Sequence, residues 1–164
     1  MAASTTKKAL IRRYDRETLA GYINPLSFQQ SEGVELLSAD GNVTLVPYPS
    51  IKSISFVKEF DASTGPERLS FQTRPKTEGL WINLRFRDGS VLEAIIPNDL
   101  ILLEPGGFTV IPPDAFGNQQ RIWVPRASLI AVEVLGVVGS PLKKRKPKPA
   151  GKDQIGLFDD SSND

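Results

Sequence analysis

Cysteine and histidine are both missing from this chain of 164 residues. Without cysteine there is no disulfide, no thiolate metal site and no thiol nucleophile. Without histidine the commonest general base and the commonest metal ligand go as well. Long apolar runs are missing too. No stretch approaches the roughly 18 residues of a membrane span, and the longest candidate, ASLIAVEVLGVVG, is interrupted by Glu133. The start, MAASTTKKALIRRYDRE, is basic but has no apolar segment of the length a signal peptide needs. Neither sign of charge is in excess. The formal net charge of +1 argues against a chain that coats nucleic acid over its whole surface. These traits predict a cytoplasmic protein with no cofactor and no metal.

Helical periodicity is scarce as well. Pro and Gly, 13 of each, punctuate the chain every few residues, leaving short segments rich in Val, Ile, Leu, Phe and Trp. That pattern predicts an all-β fold. The expected strands are 9–14, 18–24, 33–38, 43–47 and 51–58, then 80–87, 91–97, 108–111, 120–124 and 129–138. ADGN and FRDGS are turn sequences in which Gly41 and Gly89 supply a positive φ.

The two sets of strands match each other. RRYDRETLAGYINP lies against RFRDGSVLEAIIPN, which pairs Asp15 with Asp88, Leu19 with Leu92, Gly21 with Ala94 and Ile23 with Ile96. VPYPSIKSI lies against VPRASLIAV, pairing Val46 with Val124, Pro47 with Pro125, Ile51 with Leu129 and Ile54 with Val132. Between these anchors SEGVELL matches PGGFTVI, and the second copy is longer around PPDAFGNQQ. The expectation is a tandem duplication of a unit of about five strands. Each unit alone is too small to bury much, so the two must share a core or continue one sheet. VPYPS and VPRAS each predict a tight 3₁₀-like turn between two strands.

The resulting division is a first β unit at 7–60, a linker at 61–78, a second β unit at 79–139 and a disordered basic tail at 140–164. Within the linker, RLSFQT is a candidate edge strand. In the tail, Lys143, Lys144, Arg145 and Lys146 stand among alternating prolines, a composition that predicts an extended spacer.

The repeat unit resembles the five-stranded Sm-like barrel. DGSVLEAIIPN looks like that family's second strand, and VPYPSIKSISFV looks like its fourth strand, single 3₁₀ turn and fifth strand. The resemblance implies two small Sm-like barrels or bent sheets in tandem. It does not carry RNA binding with it, because RDGSV has the family's Asp without its Asn and FGNQQ has no Arg-Gly. Arg12 and Arg16 resemble the Arg-x-x-x-Arg pair by which PilZ domains grip a cyclic dinucleotide, and guanidinium forks suit such phosphates. That resemblance implies the alternative, a ligand-sensing β-barrel domain with Arg12 and Arg16 as anion contacts. The competing reading has both as solvated residues beside Asp15 and Glu17.

No constellation points to catalysis. Asp15, Asp40, Asp88 and Glu93 fall at turns or alternate along strands and do not form a pair, and the glycines of EPGGF and ADGN lack the Lys-Ser/Thr of a phosphate loop. Trp81, Phe86, Trp123, Tyr14, Tyr22 and Phe28, with Arg85, Arg87, Arg121 and Arg126 nearby, are candidates for stacking bases. Strand alternation instead sends the aromatics to a core and the arginines to water.

The tail carries the sharpest signal. Gln154-Ile155-Gly156-Leu157-Phe158 is an apolar cluster in a polar segment, and it resembles the bacterial sliding-clamp-binding peptide. That resemblance implies Leu157 and Phe158 as pocket anchors, with Ile155 beside them and Gln154 at a second subsite. The expected function is a non-enzymatic adaptor that docks a protein partner through this peptide. Lys143, Lys144, Arg145 and Lys146 would add weak nucleic-acid contact. Open sheet edges would also allow pairing with another copy.

Overall fold

In the computed structural model, residues 5–61, 67–99, 104 and 106–139 are described. They form an all-β body of ten strands. The first five are β1 (Lys7–Arg13), β2 (Thr18–Ile23), β3 (Gly33–Leu37), β4 (Val43–Pro47) and β5 (Ile51–Val57). The second five are β6 (Gly79–Phe86), β7 (Val91–Ile96), β8 (Gly107–Val110), β9 (Gln119–Pro125) and β10 (Leu129–Val138). Each lies within two residues of a strand expected from the sequence, because β-branched and aromatic runs bounded by Gly, Pro and Asp leave little freedom in placement. The turns hold as well. Gly41 and Gly89 sit at φ +83° and +84°, and single 3₁₀ turns occupy Tyr48–Ser50 and Arg126–Ser128.

The hydrogen bonding does not divide five and five. One sheet holds seven strands in the order β4-β3-β2-β1-β5-β9-β8, and the other holds three in the order β10-β6-β7. The cause is an antiparallel pairing of β5 with β9, with Ile54 opposite Trp123 and Ser55 opposite Ile122. The link from β7 to β8 is reduced to one bridge, Ile95 opposite Ile111, so the sheet assignment breaks there. Likewise β2 meets β3 at a single pair, Tyr22 opposite Leu37. The segment RLSFQT is not a strand. The Leu69 carbonyl accepts from Glu93 N–H (2.8 Å) along the open side of β7, and the contact goes no further as a ladder.

Registers recur between the halves. Ile11 lies opposite Leu19 and Ile54, and Leu84 lies opposite Leu92 and Val132. Gly33 faces Pro47 as Gly107 faces Pro125. A bulge skips Lys52 where β1 meets β5, and another skips Ile130 where β6 meets β10. Even the turn bonds repeat. Tyr14 N–H donates to the Ser50 carbonyl and Arg87 N–H to the Ser128 carbonyl, both at 3.0 Å.

Two apolar clusters fill the body. The first gathers Ile11, Ile23, Phe28, Val34, Ile51 and Ile54 with others, and it takes Trp123 from β9. The second gathers Ile82, Leu84, Phe86, Ile96, Phe108 and Ile122 with others. Strand β9 therefore serves both, with Trp123 pointing one way and Ile122 and Val124 the other, as alternation requires. Trp123 stands edge-on to Phe28, ring centroids 5.3 Å apart, a geometry in which the ring edge meets the negative face of its neighbour.

Candidate functional site

Arg12 leaves β1 near its end, and its guanidinium is paired with the Glu67 carboxylate. Arg16 sits in the β1–β2 turn at φ +70°, its N–H bonded to the Arg13 carbonyl (3.2 Å). Arg13 between them is held by Asp15 (3.0 Å) and Glu17. The surroundings of this turn are thus salt-bridged carboxylates.

The acidic candidates do not converge. Asp88 accepts from the Lys52 ammonium (2.7 Å) and the Ser90 hydroxyl (2.6 Å), and these bonds, the lysine first, lower its carboxyl to about 2. Glu93 accepts from the Trp81 indole N–H and from Phe71 N–H, both at 3.1 Å. That carboxylate fastens the 67–71 segment to the β6–β7 face. Of the aromatics, Phe28, Phe86 and Trp123 are buried core, while Arg85, Arg87, Arg121 and Arg126 are exposed. The arginines and core aromatics therefore separate by face as expected.

At the junction of the halves, the Tyr14 hydroxyl donates to the Ser128 carbonyl (3.0 Å) and shares a hydrogen bond with its Oγ. Ser128 Oγ in turn donates to the Lys52 carbonyl (2.8 Å), and the Arg87 guanidinium lies 4.4 Å over the Tyr14 ring. The network is a structural clamp.

A cavity of about 570 Å³ lies where the PPDAFGNQQ stretch meets β1 and β5. Phe28, Phe56 and Ile111 make its apolar floor, and Lys7, Phe116 and Arg121 stand at its rim. No carboxylate lines it, and neither Lys7 nor Arg121 forms an ion pair with a described residue. Such a cleft suits an apolar group that carries negative charge. The sequence reading did not find this cleft. Its available signal was the length of the PPDAFGNQQ stretch, which carries the exposed Phe116.

Among the described residues no group of three or more acidic side chains is placed to hold a metal ion, and no helix is long and apolar enough to cross a membrane. Gln154, Ile155, Leu157 and Phe158, and the basic run Lys143, Lys144, Arg145 and Lys146, lie outside the described residues. No curated protein and no solved structure matches the chain. A family of unknown function, DUF6982, matches residues 5–136, which is the β body without the tail, and the chain belongs to that family.

Proposed function

We propose that the chain is a non-enzymatic adaptor, with a duplicated Sm-like β body that presents a C-terminal docking peptide to a protein partner, the bacterial sliding clamp. The observation that carries this reading is the sequence Gln154-Ile155-Gly156-Leu157-Phe158 behind a basic, Pro-spaced linker. Leu157 and Phe158 supply two apolar anchors of the kind that dominate a peptide's binding energy, and Gln154 supplies an amide for a polar subsite. The two-unit reading is supported by the recurring registers and turn bonds, and by the matching bulges at Lys52 and Ile130. Carboxylates held in structural pairs leave the body suited to carrying rather than reacting. The Lys143–Arg145 neighbourhood adds weak, salt-sensitive contact with nucleic acid.

The test is binding of the full chain to purified clamp, read by sedimentation or anisotropy. Replacing Leu157 and Phe158 together by alanine is expected to weaken binding by about 30-fold or more, corresponding to a hot-spot loss of roughly 2 kcal/mol. Deleting residues 141–164 is expected to abolish it. Equal affinity for the parent and the double variant would end the docking reading.

A further inference from the structure

The cleft beneath Phe116 continues into a second hollow of about 270 Å³, with which it shares Thr77, Ile111, Ala115 and Phe116. Arg68, Arg74 and Lys76 line this second part as Lys7 and Arg121 line the first, and neither wall contains a carboxylate. Arg68 and Lys76, like Lys7 and Arg121, form no ion pair with a described residue. The two hollows make one groove with an apolar floor and a cationic rim. Phe116 in its wall is 93% exposed, and Leu26, next in the chain to the lining residue Pro25, is 89% exposed. Uncovered apolar surface rimmed by one sign of charge calls for an occupant that is both apolar and acidic.

The chain itself supplies such a segment. From Asp153 onward it carries Asp153, Asp159, Asp160 and Asp164 and no Lys or Arg, around Ile155, Leu157 and Phe158. The path toward that segment also leaves the β body at the groove. Val138 lies opposite Gly79, and the Gly139 backbone packs so closely on Glu78 that a Cβ there would stand 2.6 Å from the Glu78 Cα. Thr77, beside Glu78, lines both hollows. Arg74, in the second hollow, donates to the Val137 carbonyl (2.9 Å). From Gly139 to Leu157 an extended chain spans about 55 Å, at roughly 3 Å per residue, so reach does not limit a return to the groove.

We propose that the groove is a resting site for the chain's own residues 153–164, with Leu157 and Phe158 on the apolar floor and Asp159 and Asp160 among the cations of the rim. The same two apolar side chains cannot occupy the groove and a partner's pocket at once, so the contact withholds the docking peptide. The groove contact stands by itself, while this regulatory consequence rests on the docking reading. A short tether holds the peptide at an effective concentration on the order of 1 mM. A contact with an intrinsic Kd of about 100 μM is then closed roughly ten times as often as it is open, which weakens partner binding about tenfold.

The absence of cysteine allows a single nitroxide to be placed on the full chain. Carried on Ser161→Cys, it is expected to broaden the amide resonances of Thr77, Ile111 and Phe116, and to spare them once Leu157 and Phe158 are both alanine. Lys7→Glu combined with Arg121→Glu, both at exposed positions, should relieve the broadening with an unchanged melting curve, and so should Phe116→Ser. Both groove variants are expected to bind purified clamp about tenfold more tightly than the parent. No broadening in the parent would overturn the proposal. Broadening between a nitroxide-bearing chain and a separate isotope-labelled chain would do the same, because the contact would then join two copies. So would octanoate shifting these amides while the nitroxide leaves them sharp, which would assign the groove to a small amphiphilic anion. Equal clamp affinity for the parent and the groove variants would refute the withholding of the peptide. If no variant binds clamp, the docking reading ends, and the broadening still decides the groove contact.

Discussion

Arg16 is the one described non-glycine residue with positive φ, at +70°. Gly89 takes the matching place in the β6–β7 turn, at +84°. A side chain in the left-handed region crowds the following carbonyl at a cost of roughly 1–2 kcal/mol, which glycine avoids. Glycine also loses more entropy on folding, so the gain on substitution is partly offset. Arg16→Gly is expected to raise stability by about 0.5–1 kcal/mol, measured by urea unfolding at neutral pH. A loss of stability would mean that the Arg16 side chain makes a contact worth more than the strain. The turn was legible in the sequence from Asp15 and its match to Asp88, but the strain was not. Nothing in RRYDRE states that Arg16 takes the left-handed conformation that Gly89 takes in the β6–β7 turn.

Between elements, the Lys52–Asp88 pair ties the start of β5 to the β6–β7 turn, and the Lys52 ammonium also lies 5.2 Å from the Phe86 ring centroid. Asp88 titrates at about 2 in the folded chain, held down first by Lys52 and then by Ser90. An unfolded aspartate titrates near 4, at about 3.9. A depressed folded value means that the pair stabilises fully above that pH and is lost as pH falls from about 4 through about 2. Asp88 is over a third exposed, so the contribution belongs to the range of exposed pairs, roughly 0.2–1 kcal/mol. The melting temperature of the parent should therefore fall more steeply than that of Asp88→Asn across this window, with the curves converging at its acid end. Parallel curves would show that the ion pair contributes nothing measurable.

For the molecule as a whole, Trp123 carries the most weight. It belongs to the second half by sequence and to the first half's core by contact, where it meets Phe28 and Tyr48. Trp123→Ala is expected to cost about 3–5 kcal/mol, the range for emptying a large buried aromatic site. Because β9 also feeds Ile122 and Val124 into the second core, both halves should unfold in one transition in the parent. In the variant the halves should separate into two transitions, visible when fluorescence of Trp81 and far-ultraviolet circular dichroism are followed together. A single undiminished transition would show that the shared strand does not couple the cores.

The ten strands, both 3₁₀ turns and the glycine-bearing hairpins were legible in the sequence because each depends on residues within a few positions of one another: alternation, turn chemistry and the fixed φ of proline. The segregation of Trp123 and Phe86 from Arg85 and Arg121 followed from the same alternation. What the tertiary structure alone decided is which edges meet. Ladder hydrogen bonds join backbone groups that every residue carries, so no side chain along β5 names β9 as its neighbour. The pairing of β5 with β9 carries Trp123 into the other core, and together with the break between β7 and β8 it sets the seven-and-three division.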